Sequence, residues 1–144
     1  MRPSRARDER GSASIEAAIG VPAFALFVGL IVFGGRTAIT HEVVQSAAAD
    51  AARSASIARS SSEARQQAQD AARASLANQH IDCITVSVNV DTSGFAAPVG
   101  QTASVTATVE CRLDLSDLAV PGVPGSRLIS ATMSSPLDTW RERT

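Results

Sequence analysis

Between Ala17 and Gly35 the chain carries no charged side chain, and this run limits what it can fold into more than any other feature. As a helix it would be about 28 Å long at ~1.5 Å per residue, close to a hydrocarbon core of ~30 Å. Arg36 ends it. A soluble fold would have to bury such a helix on every side. A chain of 144 residues with 3% aromatics and no tyrosine lacks the bulk for that. The run therefore predicts one membrane-spanning helix, placed at residues 12–36. Residues 1–11 form a polar leader in which Arg2, Arg5, Arg7 and Arg10 stand against Asp8 and Glu9. Arginine-rich flanks stay in the cytoplasm, so the leader is expected there and the rest of the chain on the far side of the cell membrane. Pro22 lies within the run, where its ring removes a backbone hydrogen bond and predicts a helix kink. Gly20, Gly29, Gly34 and Gly35 leave notches that a second helix could approach closely.

Past the span the composition shifts. Thr37 to Asn78 is alanine-rich and free of Gly and Pro, which favours helix over residues 37–80. Val43, Ala47, Ala51, Ala55 and Ala58 mark one shallow apolar stripe. Ser60 with Glu63 fits a capping box, so a second helix is expected to restart at a kink near residue 60. The period then changes to two. Ile84, Val86, Val88 and Val90 alternate with polar residues, as do Ala103, Val105, Ala107 and Val109, and each run reads as a strand with one wet face. The Gly- and Pro-containing segment from Asp91 to Gly100 joins them as a hairpin. Arg127 to Ser134 is a weaker strand candidate. The expected fold is α+β: a long N-terminal transmembrane and extended helix, then a small antiparallel sheet over residues 81–135, then a polar tail, 136–144.

Cys83 and Cys111 both follow the span and would reach an oxidising compartment if it translocates them, which makes them a candidate disulfide. Two buried thiols are the alternative. Parity complicates the bridge. Cys111 shares the apolar face of its strand, whereas Cys83 falls on the polar face of the other, so a bulge or an early strand start is needed. No metal and no cofactor are expected, because two distant cysteines and the isolated His41 and His80 make no ligand set. A net charge of −1 gives no footprint for nucleic acid. There is no nucleophile elbow and no phosphate-cradling loop, and Asp114 with Asp117 reads as a solvated face or a cap. An enzyme acting on a small-molecule substrate is not expected.

The stretch Arg10-Gly11-Ser12-Ala13-Ser14-Ile15-Glu16, set directly before the apolar run, resembles a prepilin peptidase site. With Ala17-Ala18 and Pro22, the later Ala48-Ala49-Asp50-Ala51-Ala52-Arg53, the Val105–Val109 strand, the Leu113 to Pro121 stretch and Ser130-Ala131-Thr132, it is similar to TadE/TadG-like pseudopilins of the tight-adherence (Flp, type IVb) pilus. Flp-type sites usually place an aromatic after the Glu, where this chain has Ala17. The resemblance implies a pilin-like, non-catalytic assembly component. It implies cleavage after Gly11, with Ser12 as the new N-terminus and Glu16 as the fifth mature residue. It also implies a subunit-assembly role in which Glu16 pairs with a neighbour's free α-amino group. On spacing alone, a Glu snorkelling at a helix end reads equally well. The implied partners are the lipid bilayer, other pilin-like Tad subunits and the prepilin peptidase. The alternative function is a generic single-pass, surface-anchored binding domain outside any pilus.

Overall fold

The computed structural model describes residues 10–118 and 121–140, with side chains from Ser14 onward. The leader up to residue 9 lies outside the described residues, as does the end of the expected tail, 141–144. Helix α1 (Arg10–Ile57) runs for 48 residues and continues through Pro22. The proline ring leaves the Ala18 carbonyl without its usual helical donor. Two unlike halves meet in this helix. Up to Val32 its apolar side chains point outward on every face, with Phe24 68% and Phe27 60% exposed. From Thr40 onward one side is buried, through Val43, Val44, Ala47, Ala48, Ala51, Ala52 and Ala55. The stripe is wide because α1 packs on both a second helix and the sheet.

That second helix, α2 (Ser61–Asn78), starts on the Ser60 cap, whose hydroxyl accepts the Glu63 amide at 3.2 Å. The Glu63 carboxylate reaches back to the Arg59 amide at 2.9 Å, one residue earlier than a standard capping box would place it. The break expected as a kink near residue 60 is a full reversal. Ser46 and Asp50 of α1 share a groove with Ser75, Asn78 and Gln79 of α2, so the helices run antiparallel. The reason is a matching stripe on α2, where Ala64, Ala68, Ala72 and Leu76 are buried at four-residue spacing. Two alanine stripes give the shallow surfaces that let helices approach closely.

After α2, His80 takes a left-handed conformation at φ 54° and turns the chain into the sheet. Strands β1 (Cys83–Asp91), β2 (Ser104–Asp114) and β3 (Ser126–Pro136) lie in that order, each antiparallel to its neighbour. In β2 the alternation is complete: Val105, Ala107, Val109, Cys111 and Leu113 are buried against the helices. In β1 it breaks at one residue. Cys83 pairs with Leu113 and Thr85 with Arg112, so Ile84 is an extra residue in a bulge, 53% exposed. The bulge resolves the parity problem by shifting Cys83 onto the core side, where it is bonded to Cys111 with 5.4 Å between their Cα atoms. The far face is a Ser/Thr surface, tied across strands by Thr108 with Thr132 at 2.9 Å and by Ser87 with Glu110 at 3.1 Å.

The connections follow one rule. Asp91, Asp114 and Asp138, at or just past the strand ends, each accept the amide two residues on, from Ser93, Ser116 and Trp140. The amide and hydroxyl of Ser93 hold the Asp91 carboxyl below its usual range, and Ser116 does the same for Asp114. The Asx turns at Asp91 and Asp114 are thus formed with ionised Asp and weaken as pH falls through the lowered values. Between β1 and β2 a 3₁₀ turn, Ser93–Ala96, drops Phe95 into the core. A Cβ at Gly94 would overlap the Ser104 carbonyl and press on Leu137 at 3.1 Å. Gly94→Ala is therefore expected to cost about 1–3 kcal/mol as an overpacking substitution, read as a lowered midpoint in a thermal melt of the detergent-solubilised chain. The described part of the expected polar tail is not free. Leu137 is buried and its amide donates to Ala103 at 2.9 Å, while the Thr139 carbonyl accepts the Gly100 amide at 2.8 Å.

Candidate functional site

Glu16 and Arg36 are the charges that bracket the bare half of α1, and twenty residues of helix put them about 30 Å apart at ~1.5 Å per residue, one hydrocarbon thickness. Among the described residues this is the one helix long and apolar enough to cross a membrane, and its apolar stretch is bare of the rest of the molecule. Gly20, Gly34 and Gly35 open onto empty space, with nothing within 4 Å of where a Cβ would stand. Gly11 and Ser12 fall in the first turn of α1, and Glu16, exposed, lies one turn further on. The helix carries these positions and Pro22 at the end remote from the head formed by α2 and the sheet. Cys83 and Cys111 lie in that head, beyond the other end of the bare stretch.

At the span's exit the helix is tied to the head by charge. The Arg36 guanidinium donates through one nitrogen to both carboxylate oxygens of Asp117, at 2.9 and 2.8 Å. Asp117 belongs to a 3₁₀ turn after β2, Ser116–Leu118. The pair is exposed, so its contribution is small, on the order of 0–1 kcal/mol. Its importance is positional, since it fixes the base of the sheet beside the exit of the span. Thr37 and Thr40 donate their hydroxyls to the carbonyls of Phe33 and Arg36, at 2.9 and 2.8 Å, so neither needs a partner outside the helix. Phe33, inside the apolar run, packs against the core of the head. A cleft of about 510 Å³ opens at this junction, lined by Ile39, His80, Asp82 and Asp114 among others. Sequence reading missed Phe33 and Asp117, because a contact across 81 positions has no local signature. No group of three or more His, Cys, Asp or Glu among the described residues is arranged to hold a metal ion.

The bare helix and most of the alanine stripe of α1 are the part of the chain that resembles a known family. A family model described as TadE-like protein matches residues 11–53. This stretch is TadE-like. The match starts at Gly11, takes in Glu16, Pro22 and Arg36, and stops within the helical hairpin, short of the sheet. No curated protein and no solved structure matches the chain. The TadE-like segment and the exposed apolar helix fit a membrane protein associated with a Tad pilus.

Proposed function

We propose that the protein is a non-catalytic pseudopilin, or assembly component, of a tight-adherence pilus, built around a retained assembly helix. The observation that carries this reading is the TadE-like α1 itself, bare on all sides as far as Phe33 and continuous with the alanine-lined rod of the head. An anchor whose only task is tethering needs neither glycine notches nor a carboxylate at its edge. A carboxylate beside hydrocarbon is costly unless it is paired or reaches water. A neighbour's free α-amino group, made by cleavage after Gly11, is the partner that suits Glu16. Gly20, Gly34 and Gly35 then give close approach to other pilin-like helices, and a bend at Pro22 sets their angle.

The orientation proposed is N-terminus in the cytoplasm and head outside it. The arginine-rich leader supports this, and so does the Cys83–Cys111 bond, which persists in an oxidising compartment. Intact-mass spectrometry of the membrane-extracted protein, with and without the prepilin peptidase, tests the processing step. The expected mature chain begins at Ser12 when the peptidase is present and at Met1 when it is absent. A Met1 terminus in both preparations overturns processing. Glu16→Ala is expected to leave the protein in the membrane fraction and to abolish its crosslinking to pilus subunits. Crosslinking that survives the substitution, or an absence of pilus subunits from the wild-type preparation, favours the surface-anchored binding domain instead.

A further inference from the structure

Phe33 precedes Arg36 by three residues and so lies about 4.5 Å deeper in the apolar run at ~1.5 Å per residue, yet it packs against the core of the head. The head therefore does not stop at the membrane exit but overlaps the last turn of the span. The Arg36–Asp117 contact, at 2.8 Å, holds the turn after β2 at that same level. From there the chain forms the tip of the β2–β3 hairpin, closed by the Leu115 amide on the Gly125 carbonyl at 2.9 Å. The described residues of this tip beyond Asp117 carry no charge: Leu118, then Pro121, Gly122, Val123, Pro124 and Gly125. Pro121 and Pro124 are exposed, and Gly122 makes the turn at φ 83°.

We propose that this tip, Pro121–Gly125, inserts into the interfacial layer of the phospholipid bilayer beside α1 and gives the protein a second membrane contact, with Leu118 anchoring its base on the core of the head. The occupant is the bilayer because the tip continues the surface of the spanning helix. Apolar segments settle about 5–10 Å into the boundary between headgroups and acyl chains, a depth within reach of a loop held level with Arg36. Arg36 neutralises the carboxylate nearest the tip. The proposal rests on the anchor reading of α1.

The chain has one tryptophan, Trp140, 82% exposed and at the opposite end of the head, where β3 has run away from the base. It serves as an internal control for lipid-depth fluorescence. The full-length chain is reconstituted into phosphatidylcholine vesicles with or without brominated acyl chains. The parent chain is compared with Phe27→Trp and Pro121→Trp, each made in a Trp140→Phe background. Brominated lipid is expected to quench Phe27→Trp and Pro121→Trp strongly and to leave the parent's Trp140 emission unchanged. Quenching of Phe27→Trp with none of Pro121→Trp overturns the proposal and leaves the anchor standing. An unquenched Phe27→Trp overturns the anchor reading and the proposal together. Equal quenching of all three chains overturns the placement of the tip nearer the lipid than Trp140. Should Pro121→Trp lose its cooperative melt, Pro124→Trp takes its place with the same expected result.

Discussion

Removing the Cys83–Cys111 bridge by a double substitution to alanine is expected to cost the head roughly 3–4 kcal/mol, the chain entropy released when a loop of this size is opened. The bond spans 28 positions and joins the edge strand β1 to the central strand β2 on the helix-facing side of the sheet. Little else could absorb its loss. The core is mainly alanine and valine, with Phe95 the one buried aromatic among the described residues, so each residue contributes modest apolar area. A far-ultraviolet thermal melt of the detergent-solubilised chain should show the midpoint falling by on the order of 15 °C or more for a domain of this size. Reductant should reproduce the drop in the wild type and have no effect on the double variant. Intact mass before and after reduction, with alkylation, checks the bond directly. An unchanged midpoint would mean that the strands hold register without it.

Ala68→Leu is expected to be the next most damaging change. Ala68 is fully buried on α2, within the seam that faces α1. A leucine adds three carbons where the two backbones face each other across alanine methyls alone. The added volume must push the helices apart or force a strained rotamer, at about 1–3 kcal/mol. Because every alanine in the seam depends on the same close approach, one wedge weakens contacts along its whole length. Ala77→Leu, one helix face away and exposed, is the matched control and should be within about 0.5 kcal/mol of wild type. Denaturant or thermal unfolding of the two variants side by side separates volume from propensity, since both gain the same side chain in the same helix. Equal effects at the two positions would show that the seam has room to spare.

The parts of this molecule that were legible in its sequence are those set by local pattern. The span was legible because nineteen residues without charge admit few fates. Strand β2 was legible because its alternation is unbroken from Val105 to Leu113, and β3 because of a weaker version of the same signal. The reversal at Ser60 was half legible. The cap was read correctly as a helix start, but a cap says nothing about the direction of the next helix. The four-residue spacing of Ala64, Ala68, Ala72 and Leu76 was the signal that it would fold back. The Ile84 bulge was not legible beyond a parity conflict between two cysteines, because a bulge is a property of strand pairing. The Arg36–Asp117 tie and the descent of Phe33 into the head's core were not legible at all. Gly11, Ser12 and Glu16 were singled out by motif, and the fold places them in the first turns of one continuous helix.

The continuity of α1 from its apolar half into the head has a mechanical consequence. The helix apolar enough to cross a membrane is the same rod that forms the spine of the head, and Phe33 and Arg36 tie the two together where a hinge would otherwise sit. Torque or lift applied to the buried half is therefore delivered to the head as rigid rotation or translation. In the assembly proposed above, the azimuth at which the Ser/Thr face of the sheet looks outward would be set by how neighbouring helices grip the span. A partner approaching that face would sense, at a distance, whether the helix beneath had been drawn into an assembly.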